Sequence, residues 1–226
     1  MKQAFLLVII FTVLLVPCFA QEQSKAILVE RFGGLTNDPL QATIYNFIED
    51  ITKTNSKGFI IVYGTKKSQL SKYLYERKIR GCFQWGNYSD NNFSFALGED
   101  KNDFTIELWK VPVGAEKPRF EEAKRDYNLS QITQPHLIYQ YSLSDEYCPL
   151  YFDMKFYSRF LNANPNIIGK IVIREKTLSK YNKEKQKYLQ ELTKTNKVSL
   201  KQIKFVRAKY ESESDAEFWL IPQKKK

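Results

Sequence analysis

Histidine and cysteine are nearly absent from this sequence. A single histidine, His136, and three cysteines serve a chain of 226 residues. A zinc centre takes four Cys, His or carboxylate ligands at characteristic spacings, and one histidine with scattered cysteines composes no such set. No metal and no cofactor is expected. Nucleophilic chemistry needs a nucleophile, a base and an orienting group in one pocket. His136 follows Pro135 with no cysteine or acidic motif beside it, so it reads as the head of a strand, and no catalytic residue is assigned. Cys18 falls in the hydrophobic leader, which leaves Cys82 and Cys148. Two cysteines do not build a disulfide scaffold. In an oxidising compartment they are candidates for one bridge between the halves of the chain; two separate buried thiols is the other reading. A glycine-rich phosphate loop is missing as well. Gly64-Thr65-Lys66-Lys67-Ser68 lies between a strand and a helix but lacks the G-x-x-x-x-G-K-[ST] pattern. It reads as a plain turn, or as a helix start whose two lysines attract an anion.

Long apolar runs are confined to the first 20 residues. Lys2 precedes an unbroken apolar stretch over residues 5–16, and Cys18-Phe19-Ala20 is a small-x-small cleavage site ahead of Gln21. The run falls short of the ~20 residues that span a bilayer, so residues 1–20 read as a signal peptide rather than an anchor. Pro17 spoils the lipoprotein-like Leu15-Val16-Pro17-Cys18. The mature chain is expected to be exported, periplasmic or secreted, with no transmembrane span.

Lys and Arg number 35 against 25 Asp and Glu, a formal charge of +10. Such an excess attracts polyanions. With 14 Tyr, 16 Phe and 3 Trp there is aromatic mass for two sizeable cores. Because most Tyr and Phe sit at core spacing in an exported chain, nucleic-acid stacking is not expected.

What organises the chain is a stretch that occurs twice. Glu107-Leu108-Trp109-Lys110-Val111-Pro112 returns as Glu217-Phe218-Trp219-Leu220-Ile221-Pro222, and the same spacing carries Pro39-Leu40 onto Pro149-Leu150. Self-similarity at this distance predicts a duplicated domain of about 100 residues. In the first copy, residues 26–32 read as a strand closed by Gly33-Gly34. Residues 39–54 read as an amphipathic helix, with Ile44, Phe47, Ile48 and Ile51 at helical spacing. Phe59-Ile60-Ile61-Val62-Tyr63 is a continuously apolar strand suited to a central position. A second helix through Leu70, Tyr73 and Leu74, a strand over 93–97, a turn over 98–103 and a strand over 104–111 complete the unit. Residues 112–118 read as an exit linker and 120–127 as a short charged helix. The second copy repeats the order: a strand over 137–141, a helix through Phe152, Phe156 and Phe160, and a strand over 167–173 with Gly169 answering Gly58. A lysine-rich helix over 178–192 and strands over 203–208 and 217–221 follow. The last two strands of each copy are expected to close their sheet as a hairpin after a β-α-β core.

This β-α-β-α-β-β order resembles that of the OmpA-like domain. Gly58-Phe-Ile-Ile-Val-Tyr-Gly64, Tyr73-Leu74 and Glu107-Leu-Trp-Lys-Val-Pro-Val-Gly114 also resemble exported bacterial proteins with a strand ending YG and a terminal ELW-x-VP-x-G. The resemblance implies an α/β fold of two tandem units: a signal peptide over 1–20, a first unit over 25–116, a linker over 117–132 and a second, diverged unit over 133–223. It also implies a place at the cell envelope, where the family binds peptidoglycan. The family's binding Asp, near a T-D pair, and its helix Arg have no counterpart in Tyr63-Gly64-Thr65-Lys66-Lys67 or Arg174-Glu175-Lys176. No binding residue is carried over.

Three surface features remain. Lys180, Lys183, Lys187, Lys194 and Lys197 form either an anion patch or a solvated helix face. Trp109 and Trp219, at matching strand positions, read as core packing under a helix rather than as a ligand platform. Asn87, Asn92 and Asn128 head Asn-x-Ser sequons that matter only in a glycosylating host. The resulting expectation is an exported binding or scaffolding protein whose partner is an acidic envelope polymer or another envelope protein. The alternatives are an exported hydrolase whose carboxylates, such as Asp38, Glu107 and Glu217, meet only in the fold, and a structural interaction module.

Overall fold

The computed structural model describes residues 25–66, 69–89, 91–129, 132–141, 152–210 and 216–223. The fold is mixed α/β, with two four-stranded mixed sheets and four helices among those residues. In the first half β1 (Ile27–Phe32), α1 (Asn37–Lys53), β2 (Lys57–Thr65), α2 (Gln69–Trp85), β3 (Phe93–Lys101) and β4 (Thr105–Val111) follow in order. In the second, β5 (His136–Tyr141), α3 (Met154–Ala163), β6 (Ile167–Arg174), α4 (Leu178–Gln190), β7 (Ile203–Ala208) and β8 (Ala216–Pro222) do so. None of the described helices is long and apolar enough to cross a membrane.

The strand order corrects the expected hairpin. The sheets run β1-β4-β2-β3 and β5-β8-β6-β7, so the last strand of each half lies inside its sheet, antiparallel to both neighbours. The parallel neighbours are β2 with β3 and β6 with β7, and β1 never touches β2. The apolar run of β2 accordingly sits between two strands, with seven consecutive buried residues from Gly58 to Gly64. The registers of the halves run alike. Leu28 faces Trp109 and Leu137 faces Trp219, and in both edge strands the register shifts at the next residue.

Two further expectations give way. Gly98 is not in a turn, because β3 continues to Lys101. Tyr63 pairs with Gly98 across the parallel ladder, and a Cβ there would lie 2.2 Å from two carbons of the Tyr63 ring. The glycine gives that ring its seat. Residues 120–127 form no helix. The Glu99 N–H donates to the Glu121 carbonyl at 3.0 Å and the Ala123 N–H to the Leu97 carbonyl at 2.8 Å, so this strap runs along the β3 edge and shields it from foreign strands. Phe120 turns onto Phe59, 5.7 Å between ring centroids, on the helix-free face.

Helices from both halves share one apolar cluster. Tyr73 of α2 meets Phe160 of α3 edge-on at 5.7 Å and stacks on Tyr127 of the strap at 5.2 Å. Arg77 of α2 reaches the Asp153 carboxylate at 3.0 Å and lies over the Phe156 ring. The segment expected as a linker is thus built into the core: the Asn164 side chain accepts from the Leu129 N–H and donates to the Tyr127 carbonyl. α4 ends at Gln190, short of the expected 192, and continues as a π-helical turn over Glu191–Thr195 that places Leu192 in the core. Cys82 is fully buried on α2 and disulfide-bonded; Cys148, its expected partner, lies outside the described residues, as do residues 1–20, which the sequence reading takes as a signal peptide.

Candidate functional site

On a strand, side chains two residues apart share a face, and this gives the repeated Glu-x-Trp its geometry. Glu107 and Trp109 stand on the face of the first sheet turned away from α1 and α2. The Trp109 indole N–H donates to Glu107 Oε2 at 3.0 Å. The Tyr63 hydroxyl donates to the same oxygen at 3.1 Å, while Arg31 at 3.0 Å and Lys101 at 3.2 Å engage Oε1. The Lys101 ammonium also lies 3.3 Å from the Tyr63 ring centroid. Burial pushes the Glu107 carboxyl up. The hydrogen bonds from Trp109, Lys101 and Tyr63, with the Lys101 charge, more than offset it and hold the group below its ordinary range. Burial and the adjacent carboxylate raise Tyr63 well above an ordinary phenol. In the second sheet the Trp219 N–H donates to Glu217 Oε2 at 2.8 Å, and Arg174 pairs with Oε1 at 2.6 Å. Lys170 lies 5.9 Å from the Trp219 ring centroid.

Both tryptophans are therefore half-buried on helix-free faces, not packed under a helix as expected. Trp109 borders a small cluster of Phe59, Ile61, Tyr63, Ala96 and Val111 that the strap closes with Ala115 and Phe120. Sequence reasoning named both glutamates and both tryptophans without pairing them. The i, i+2 spacing on a strand was the signal. Arg31, Tyr63, Lys101 and Arg174 gave none, because register across the sheet brings them in.

The three carboxylates offered for hydrolysis do not converge. Glu107 and Glu217 belong to different sheets and are each enclosed by their own donors, and Asp38 lines a shallow surface cleft with Leu35, Thr36 and Lys78. No group of three or more metal-ligating side chains occurs among the described residues. His136 is exposed, opposite Leu220 in register. Gly64 is still in β2, where Asp100 Oδ1 and the Lys72 stem occupy the space beside it and the Lys72 ammonium is bound to Asp100 at 2.7 Å. Lys67 and Ser68, on which the expected anion-attracting helix start depends, lie outside the described residues.

Three of the five lysines singled out in the sequence lie on α4. α4 turns only a narrow stripe inward: Tyr181 is buried and Tyr188 meets Phe218 edge-on at 5.3 Å. Lys180, Lys183 and Lys187 share another side at i, i+3 and i+7, Lys194 lies in the π-helical turn and Lys197 just past it. All five are exposed. Beyond the N-terminal end of α4, Lys176, Arg207, Lys209, Tyr210, Glu175 and Ala208 line a cleft of about 480 Å³ beside the carboxyl ends of β6 and β7. Arg207 spends its guanidinium on the Glu175 and Lys176 carbonyls there. No family model, no curated protein and no solved structure matches this chain.

Proposed function

We propose that the protein is an exported, non-enzymatic binding module of the cell envelope, built from two copies of an OmpA-like unit, whose α4 face docks an acidic polymer. The observation that carries this reading is the row of exposed lysines on α4. Among the described residues only Lys187 has a carboxylate near it, Glu184 at 3.8 Å, and so loose a surface pair contributes little. An uncompensated basic stripe raises the local concentration of polyanions and steers them in. Duplication is supported by the two matching strand orders, the matching shifts beside Trp109 and Trp219, and the paired Glu–Trp hydrogen bonds. Export rests on the leader sequence.

The test is retention of the mature chain on immobilised polyphosphate and polyuronate, with neutral dextran as the control. Both polyanions are expected to hold the protein at ~0.05 M salt and to release it near ~0.5 M, as screening shortens the reach of each lysine. The triple charge reversal K180E/K183E/K187E is expected to elute without delay while keeping its melting temperature. Equal retention of that variant, or of the wild type on dextran, overturns the reading.

A further inference from the structure

Two rings at the carboxyl end of α2, Trp85 and Tyr88, meet Tyr45 of α1 in a corner that the lysine face does not involve. The helix closes with the Asn87 N–H donating to the Gln84 carbonyl at 3.1 Å and the Tyr88 N–H to the Phe83 carbonyl at 2.9 Å. Asn87 takes the left-handed conformation, φ 53°, that this cap requires. The chain then folds Tyr88 back onto Gly86, where a Cβ would lie 2.3 Å from a ring carbon. Glycine at 86 is therefore what allows Tyr88 its position. The ring is fixed by its backbone and still 43 % exposed, and Trp85 beside it is 48 % exposed.

Tyr45 of α1 completes the corner. Trp85 stacks on it with 6.2 Å between centroids and 14° between planes, and Tyr88 meets it edge-on at 5.6 Å and 63°. The Tyr45 hydroxyl is buried, with the Gln41 side chain as its polar neighbour. Gln41 stands one turn earlier on α1, while Gln84, Asn87, Ser89, Asn91 and Asn92 supply exposed amides and a hydroxyl on and around the Tyr88 loop. Exposed aromatic area held in a fixed geometry marks a binding surface. A loop rich in amides and carrying no Lys or Arg between Gln84 and Asn92 does not select a polyanion. It suits a ligand with a flat C–H face and a ring of hydroxyls, since an aromatic ring takes the first and amides take the second. The angles set Trp85 nearly parallel to Tyr45 and turn Tyr88 across the Tyr45 ring.

We propose that Tyr45, Trp85 and Tyr88, seated by Gly86 and flanked by amides, form a binding site for neutral carbohydrate, with a pyranose ring resting on Trp85. This site stands apart from the lysine face of α4, and either reading survives the loss of the other.

The experiment titrates the full mature chain with β-1,4-linked tetramers of glucose and of N-acetylglucosamine by calorimetry. Saturable binding of at least one tetramer is expected. Trp85→Ala is expected to weaken it by about tenfold or more, as loss of the stacking ring implies. Gly86→Ala, which adds one methyl and displaces Tyr88 without touching Trp85, is expected to weaken it as well. K180E/K183E/K187E should bind the tetramer as the wild type does. Melting temperatures are read for every variant, and Tyr88→Ala replaces any that has lost its fold. Three results overturn the proposal: no saturable binding of either tetramer up to ~10 mM, affinity unchanged in both ring variants, or a concentration-dependent dimer that Trp85→Ala abolishes. The last would make the corner a protein interface.

Discussion

Glu107 is 3 % exposed, yet it stays ionised because four donors reach its two oxygens. Removing it strands the Tyr63 hydroxyl and the Trp109 N–H, whereas Arg31 and Lys101 are half-exposed and can turn to water. Glu107→Ala is therefore expected to cost about 2–4 kcal/mol. Glu107→Gln keeps an acceptor and should cost about half of that, both read from urea denaturation. Trp109→Ala belongs lower, about 1–3 kcal/mol, because the indole is only half-buried. A loss above ~4 kcal/mol would return Trp109 to the core. The pH dependence follows from the same carboxylate. Glu107 titrates lower in the folded chain than its ordinary value near 4.5, and so does Glu76, which Arg80 and Arg125 bracket at 3.1 and 2.7 Å. The unfolded chain therefore binds more protons in this window, and stability rises with pH. Their contribution is complete above about pH 5–6 and is lost as pH falls through the depressed folded values. Melting temperatures from pH 7 to 3 should fall only at the acid end, and less steeply in Glu107→Gln.

At the scale of the element, local patterns were legible and long-range pairing was not. The run Phe59-Ile60-Ile61-Val62-Tyr63 announced an interior strand, and Ile44, Phe47, Ile48 and Ile51 announced α1, because one period decides each. Nothing in the composition of β4 says that it leaves β3 and threads between β1 and β2; that choice is made by partners some 50 to 80 residues away. Glycine misled for a related reason. Gly98 looks like punctuation, but its missing side chain is filled from the neighbouring strand by Tyr63, whose hydroxyl then reaches Glu107. The strap failed as a helix because its backbone bonds go to β3, and a sequence of mixed charge does not reveal such a partner. Gly98→Val tests the pairing. A branched side chain must push the Tyr63 ring off its seat and strain the Glu107 cluster, an expected loss of about 1–3 kcal/mol. Tyr63→Phe, which keeps the ring but gives up one hydrogen bond to a carboxylate, should lose about 1–2 kcal/mol. If valine is accepted without loss, the ring does not lie over the glycine.

The whole molecule is less divided than its repeat suggests. The duplicated pattern in the sequence predicts two independent units, yet α2 and α3 share rings, and residues 117–129 are bound to both halves. Arg125 engages both oxygens of the buried Glu76, at 2.7 and 2.8 Å, and the Tyr73 hydroxyl bonds with the Asp126 backbone. Burial raises that hydroxyl to about 12, so it remains a donor across the working range. Cutting the chain after residue 116 would leave Glu76 with Arg80 alone and expose Tyr73. Ending it after residue 129 keeps the Glu76 and Tyr73 partners and the β3 edge covered. The fragment 25–129 is therefore expected to melt well above 25–116, by about 4–8 °C for each kcal/mol recovered in a piece this small. Neither fragment should match the full chain, because Phe160, Arg159 and Asn164 from the second half complete the packing around Tyr73 and Tyr127. The full chain is expected to unfold in one transition, with calorimetric and van't Hoff enthalpies in agreement. Two resolved transitions, with the earlier midpoint equal to that of 25–116 alone, would mean that the strap and the α2–α3 contact contribute nothing and that the repeats stand on their own.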